Sequence, residues 1–198
     1  KAVERCGSRV EVIVAPESRN KSPRVYVANH MSVLETMVLP CILIPFGHPT
    51  MVAKESLLRY PSIGHILRAS NCISVTRENP REDLRTVLSK GKESLLAGNS
   101  VAIFPQATRN PIFDRKIFNS LGVKLASRSG VPVVPLALKT DFSGIGMVIK
   151  EFGKIDRSKP VHFEMGSPID ASSGEKKAHE ATVDFIADRV CKWGGQVI

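Results

Sequence analysis

Val25-Tyr26-Val27-Ala28-Asn29-His30-Met31-Ser32-Val33-Leu34-Glu35-Thr36 is the stretch on which the fold turns. Its first four residues form an apolar run that reads as a buried strand, and the polar residues behind it mark a turn. Ser32 is a good N-cap and Glu35 stands three residues on, at the capping-box spacing. A helix is therefore predicted to follow, with Leu34, Met37, Val38 and Ile42 on its apolar stripe and Pro40 as a kink. Strand, turn and helix in that order are the repeating unit of a parallel sheet.

The same order recurs at Ser100-Val101-Ala102-Ile103, a second strand-like run followed by the polar cluster Phe104-Pro105-Gln106-Ala107-Thr108-Arg109. Around these two units the chain alternates throughout. Strands are predicted at Val10 to Val14, Arg24 to Ala28, Thr50 to Lys54, Cys72 to Thr76, Val101 to Phe104, Val131 to Leu138, Met147 to Phe152 and Val161 to Met165. Helices are predicted from Pro61 to Leu67, from the Asn79 cap and Pro80 to Gly98, from Ser120 to Ser129, and from Glu175 to Trp193. The 80–98 helix carries Leu84, Val87, Leu88, Leu95 and Leu96 as its apolar face, and the last helix turns Val183, Ile186, Ala187 and Val190 inward. The predicted fold is α/β, a mainly parallel or mixed sheet flanked by helices, in one domain over residues 1–198.

Bulk composition narrows the class further. The 198 residues are 42% hydrophobic, enough for one real core, and the net charge of +9 favours an anionic partner. Cys6, Cys41, Cys72 and Cys191 are too scattered for a zinc site or a disulfide framework, and reduced thiols are expected. The most apolar stretch, Met37 to Phe46, is broken by Pro40 and Pro45 and falls short of the roughly 20 residues that span a bilayer. Because the chain starts at Lys1 and enters strand-like sequence within ten residues, it is expected to be a fragment lacking an N-terminal segment such as an anchor.

In an open α/β sheet ligands bind beyond the carboxyl ends of the strands, where both polar clusters fall. An imidazole at His30 can act as a general base if a carboxylate fixes its tautomer, and Glu35 is the nearest one. On one continuous helix positions i and i+5 lie about 140° apart, so the pair requires His30 to sit outside the helix that Ser32 opens. Ser32 and Glu35 also read as a capping box with no further role, and both readings stand at this point. Arg109 offers a forked cation for phosphate or carboxylate, with Thr108 and Gln106 as hydrogen-bonding neighbours; a surface loop would look the same.

Taken together these segments resemble the glycerolipid acyltransferase family of the lysophosphatidate acyltransferase type, over nearly the whole chain. The family's NHxSxxD motif corresponds to NHMSVLE at 29–35, and its FPEGTR motif to FPQATR at 104–109. Its middle block is similar to Lys54-Glu55-Ser56-Leu57 with Pro61, Gly64 and Arg77. A proline-centred block matches Val131-Pro132-Val133-Val134-Pro135, and Gly166-Ser167-Pro168-Ile169 before the last helix also fits. The resemblance implies a three-layer fold like that of glycerol-3-phosphate acyltransferase. It also implies acyl transfer from a thioester, acyl-CoA or acyl carrier protein, to a lysophospholipid hydroxyl.

On that resemblance His30 is the base, Glu35 orients it, and Asn29, Ser32, Lys54, Arg77, Gln106, Thr108 and Arg109 bind substrate. No metal or cofactor is implied. An anionic membrane surface is the implied partner, with the protein on the cytoplasmic face, peripheral or anchored by a segment outside this chain. Glu35 replaces the family's Asp, Gln106 its Glu and Ala107 its Gly, which leaves the acceptor open among lysophosphatidate, another lysolipid, an amino-acid lipid or a different alcohol.

The remaining features are read more plainly. His48, His65, His162 and His179 are expected at the surface or in loops, and the basic pieces Arg19 to Arg24 and Lys150 to Lys159 on a solvated face, with contact to lipid headgroups as their other reading. Leu57 to Tyr60 with Ile63 to Leu67 suits an acyl groove, a membrane interface or a core-facing helix. A thioester or ester hydrolase with the same dyad is a neighbouring reading, although no GxSxG elbow supports a serine hydrolase. A non-catalytic lipid- or carrier-binding module is the second class. Nucleic-acid binding is disfavoured, since aromatics make up only 6% and do not alternate with basic residues.

Overall fold

The computed structural model describes residues 2–5, 7–106, 108–142, 144, 153–172 and 174–198. A short helix α1 (Ala2–Arg5) leads into β1 (Val10–Val14), and a loop carries the chain to β2 (Val25–Ala28) and α2 (Val33–Leu43). Then come β3 (Pro49–Lys54), α3 (Pro61–Ala69), β4 (Ile73–Val75), α4 (Pro80–Leu96), β5 (Ser100–Ile103) and the two-residue β6 (Ile112–Phe113). The chain closes through α5 (Leu121–Ser129), β7 (Val133–Lys139), β8 (Val161–Met165), α6 (Glu175–Lys192) and β9 (Gln196–Val197).

Seven strands form one sheet in the order β1-β8-β7-β2-β5-β3-β4. The run from β7 to β4 is wholly parallel, while β8 lies antiparallel to β7 and parallel to β1, so the sheet is mixed at one side. β1 occupies that edge, joined to β8 in the register Val10↔Val161, with Val12 and Ile13 exposed. β6 and β9 pair separately as a two-stranded ribbon.

Side-chain alternation along the strands divides the core into two layers. Val25, Val27, Val101, Ile103, Val133 and Ala137 face α4, α5 and α6, whose Val87, Val123, Leu125, Ile186 and Val190 are buried against them. Tyr26, Ala28, Met51, Ala102, Val134 and Leu136 face α2 and α3, meeting Leu39, Leu43, Ile63 and Leu67. Both faces of the parallel strands are thus covered, as such strands require, and the result is the expected three-layer α/β architecture. Among the described residues no helix is long and apolar enough to cross a membrane.

Several expectations are corrected. Leu84 and Leu96 of α4 are exposed, because Leu84 in the first turn borders a cavity and Leu96 ends the helix beyond the sheet. Arg24 is fully buried rather than solvated: its guanidinium donates to the carbonyls of Ser18 (3.0 Å), Ser22 (2.8 Å) and Asn20 (2.9 Å), which meets the cost of burying a charge. His162 and His179 are not loop residues. They lie in β8 and α6, stacked on Trp193 and Phe118, and burial pushes both imidazoles below the ordinary histidine range. The strand predicted at Met147 to Phe152 lies outside the described residues.

Gly122, buried in α5, lets that helix approach β2. A Cβ there would stand 2.4 Å from Cγ2 of Val27, a β-branched side chain with no exposure. Alanine favours helix by at most about 1 kcal/mol over glycine, whereas overpacking a filled core costs about 1–3 kcal/mol. Gly122→Ala is therefore expected to lower stability in urea denaturation, and adding Val27→Ala should recover part of the loss.

Candidate active site

Parallel strands bring their carboxyl ends to one edge, and the turns after β2, β3, β4, β5 and β7 all open there. The turn after β2 is fastened to both of its neighbours. On one side Asn29 extends the ladder with β7: its Nδ2 donates to the Leu138 carbonyl (2.7 Å) and its Oδ1 accepts from the Leu138 N–H (2.8 Å). On the other side the His30 N–H donates to Gln106 Oε1 (2.8 Å), and the His30 carbonyl accepts from the Asn110 N–H (2.9 Å). His30 therefore lies outside α2, as the dyad requires.

Glu35 is fully buried at the first turn of α2, and its carboxylate collects donors from every direction. Oε1 accepts from the N–H groups of Met31 (2.9 Å) and Ser32 (3.1 Å) and from the Thr140 hydroxyl, while Oε2 lies 2.5 Å from His30 Nδ1. A carboxylate only accepts, so Nδ1 carries the proton of this contact, and in the neutral imidazole that tautomer leaves the lone pair on Nε2. The capping box is also complete, with the Ser32 hydroxyl accepting from the Leu34 N–H (3.2 Å). Capping box and dyad are thus one structure rather than alternatives. The Glu35 carboxylate serves the helix start and the imidazole together.

The imidazole is stacked on Phe104 with ring centres 4.4 Å apart, and 12% of the His30 side chain remains exposed. It stands where two cavities meet. The first, about 510 Å³, is walled mainly by carbon: Met51, Leu67, Val75, Leu84, Ile103 and Leu121 among others. The second, about 530 Å³, carries Ser56, Tyr60, Thr108 and Arg109, and Lys54 and Arg77 border both cavities. Both volumes lie in the range of small-molecule sites. Leu57 borders both cavities, and Ile63 and Leu67 are buried in the core while touching one cavity each.

Arg77 and Arg109 face the same space closely enough to act on each other. Burial lowers the pKa of the Arg77 guanidinium, Asp83 opposes that, and the charge of Arg109 adds to it. Arg77 also holds a left-handed backbone, with φ of 64°, uncommon for a residue that is not glycine. Asp83 fixes it there, accepting from the N–H groups of Thr76 (2.9 Å) and Arg77 (2.8 Å). Two guanidiniums, Lys54 and the Thr108 hydroxyl line the second cavity, a set of groups that can hold an anion.

Asn29 and Ser32, expected to bind substrate, border neither cavity; their polar groups are engaged within the chain, behind the imidazole. Gln106 is 1% exposed on the wall of the first cavity, next to His30. Four residues escaped the sequence reading: Thr140, which links Ser32 to Glu35, Asn110, Asp83, and Asn119, whose Nδ2 donates to the Pro105 carbonyl. Thr140 alone left a signal, since it follows a strand adjacent to β2. Asn29→Ala would orphan both the N–H and the carbonyl of Leu138, each at about 1–3 kcal/mol. The expected result is a clear loss in thermal and urea stability.

The sequence matches the family described as Acyltransferase over residues 9–139. It is similar to the 1-acyl-sn-glycerol-3-phosphate acyltransferase of Pseudomonas aeruginosa, 33% identical over 121 residues, 61% of this chain and 46% of that protein. It is also similar to the enzyme of the same name from Saccharomyces cerevisiae, 25% identical over 186 residues, 89% of this chain and 59% of that one. The chain spans about half the length of the curated relatives it matches. The crystal structure of the 1-acyl-sn-glycerophosphate (LPA) acyltransferase from Thermotoga maritima shares the fold, with a TM-score of 0.68 over 96% of this chain and 74% of that one at 24% identity.

Proposed function

The chain belongs to the Acyltransferase family, and on that premise we propose that it moves a fatty acyl group from an acyl thioester to the free hydroxyl of lysophosphatidate or a close lysophospholipid. The observation that carries this reading is the position of His30, whose imidazole borders both cavities, with Lys54 and Arg77 also between them and Thr108 and Arg109 in the second. The acyl chain occupies the first, the acceptor's phosphate the second, and their reacting ends meet at Nε2. The curated relatives carry the name of this activity.

The reaction balances with three partners. His30 Nε2 takes the proton of the acceptor hydroxyl as its oxygen bonds to the thioester carbonyl carbon, and the carbonyl π electrons move onto oxygen. Glu35 accepts from Nδ1 and stabilises the imidazolium so formed. When the carbonyl re-forms, the C–S bond breaks and the thiolate leaves with the proton from Nε2. The nucleophile is the acceptor itself, so no acyl-enzyme and no prosthetic group enter. Holding the two substrates in adjoining cavities supplies the orientation that such a transfer depends on.

Arg77, Arg109, Lys54 and Thr108 bind the acceptor's phosphate, and the net charge of +9 suits both that ligand and an anionic membrane surface, here assigned to the cytoplasmic face. Either acyl-CoA or acyl carrier protein supplies the thioester.

Mass spectrometry of products from acyl-CoA and detergent-dispersed lysophosphatidate tests the reading. Acylated product should require both the acceptor and His30, and His30→Ala should reduce turnover to background. Arg109→Ala is expected to raise the acceptor's KM by tenfold or more, at about 1.4 kcal/mol per tenfold, with a smaller change in kcat. Thioester loss without an acceptor would make the chain a hydrolase, and full activity in the His30 variant would refute the mechanism.

A further inference from the structure

Gln106 stands where the family motif has a glutamate, and its side-chain amide has an enforced orientation. The His30 N–H can only donate, so the Gln106 atom 2.8 Å from it must be the oxygen. The loop beneath is fixed as well, with the Pro105 carbonyl held by Asn119 and Asn110 tied to the His30 carbonyl. Nε2 is consequently left as a buried donor with no partner among the described residues, on a side chain that lines the first cavity next to the imidazole. Buried polar groups are otherwise almost always paired, which marks this one for a ligand.

The geometry points to Gln106 Nε2 as the donor that receives the thioester carbonyl oxygen during acyl transfer, a contribution that a glutamate in the same place could not make. The choice of oxygen follows from the cavities. Gln106 borders the first cavity and not the second, to which Arg109 and Thr108 are confined; Lys54 and Arg77 border both, so on the proposed placement of the substrates Gln106 lies on the thioester side of them. In the addition step the acceptor oxygen bonds to the carbonyl carbon, its proton passes to His30 Nε2, and the carbonyl π pair becomes a localised negative charge on oxygen. That charge is what an amide N–H, preoriented and shielded from water, stabilises best. The charge returns to the C=O bond as the C–S bond breaks and the thiolate leaves protonated by His30.

This inference rests on the proposed acyl transfer, and two measurements separate their fates. Gln106→Glu keeps an oxygen for the His30 N–H while turning the donor into an acceptor. Its kcat should fall by about 10²–10³-fold, the usual loss for one oxyanion donor, with little change in the acceptor's KM, measured well below the variant's own melting temperature. A kcat within a few-fold of the wild type would overturn the assignment. The second measurement needs no turnover: the infrared carbonyl band of palmitoyl-CoA, ¹³C-labelled at the thioester, bound to the His30→Ala chain. A band moved to lower frequency, and restored when Gln106→Glu is added, supports the contact. A band at the free-ligand frequency in the His30→Ala chain, or failure of the thioester to bind, refutes it. A shifted band in the His30→Ala chain, together with no product from lysophosphatidate by the wild-type chain, would uphold the Gln106 contact and sink only the proposed acceptor.

Discussion

The buried carboxylate of Glu35 is the interaction on which the site depends. It closes the first turn of α2 by accepting backbone N–H groups, holds the imidazole through Nδ1, and reaches the end of β7 through Thr140. A carboxylate at a helix N-terminus is favoured by the exposed N–H groups and by the macrodipole, so the charge that polarises His30 is itself stabilised by the fold. Helix start, tautomer and strand spacing are coupled through four atoms. A shorter side chain in this position would have to give up some of these contacts or draw the helix closer.

A second constraint is the parallel pairing of β7, β2 and β5. Their shared direction puts three turns side by side, and the middle one is stitched to each neighbour by side-chain amides acting as extra rungs of the ladder. The site is consequently rigid at the imidazole and more open at its flanks, where Lys54, Arg77 and Thr108 are exposed. The two cavities share Lys54 and Arg77 at their border. The first lies under α4 against β3, β4 and β5; the second draws on the turns after those same strands and adds Thr108 and Arg109.

Much of this was legible in the sequence because it rests on local signals. Apolar runs followed by polar turns located the strands of the main sheet, and Ser32 with Glu35 announced both the start of α2 and the dyad. What the sequence hid was held by distant partners. Thr140 reaches Glu35 across 105 positions and Asn29 reaches Leu138 across 109, and no spacing rule foretells such bonds. The two-residue strands β6 and β9 are too short for any period to register. Arg24 looked like part of a basic surface because nothing local reveals that three carbonyls wait for it, and Leu84 looked like core because a cavity wall and a core face share the same helical spacing.

Among the described residues β1 finds its sheet partner in β8, whereas the strands that build the site lie between residues 25 and 139 and pair among themselves. During synthesis at about 5–20 residues per second, β1 leaves the ribosome roughly 8–30 s before β8 follows it. For that interval an apolar strand, with Val12 and Ile13 among its residues, lacks the strand it pairs with in the fold, and an unpaired strand of this kind is open to neighbouring chains. The working end of the sheet can thus be assembled on the nascent chain while its outer edge is still waiting for closure.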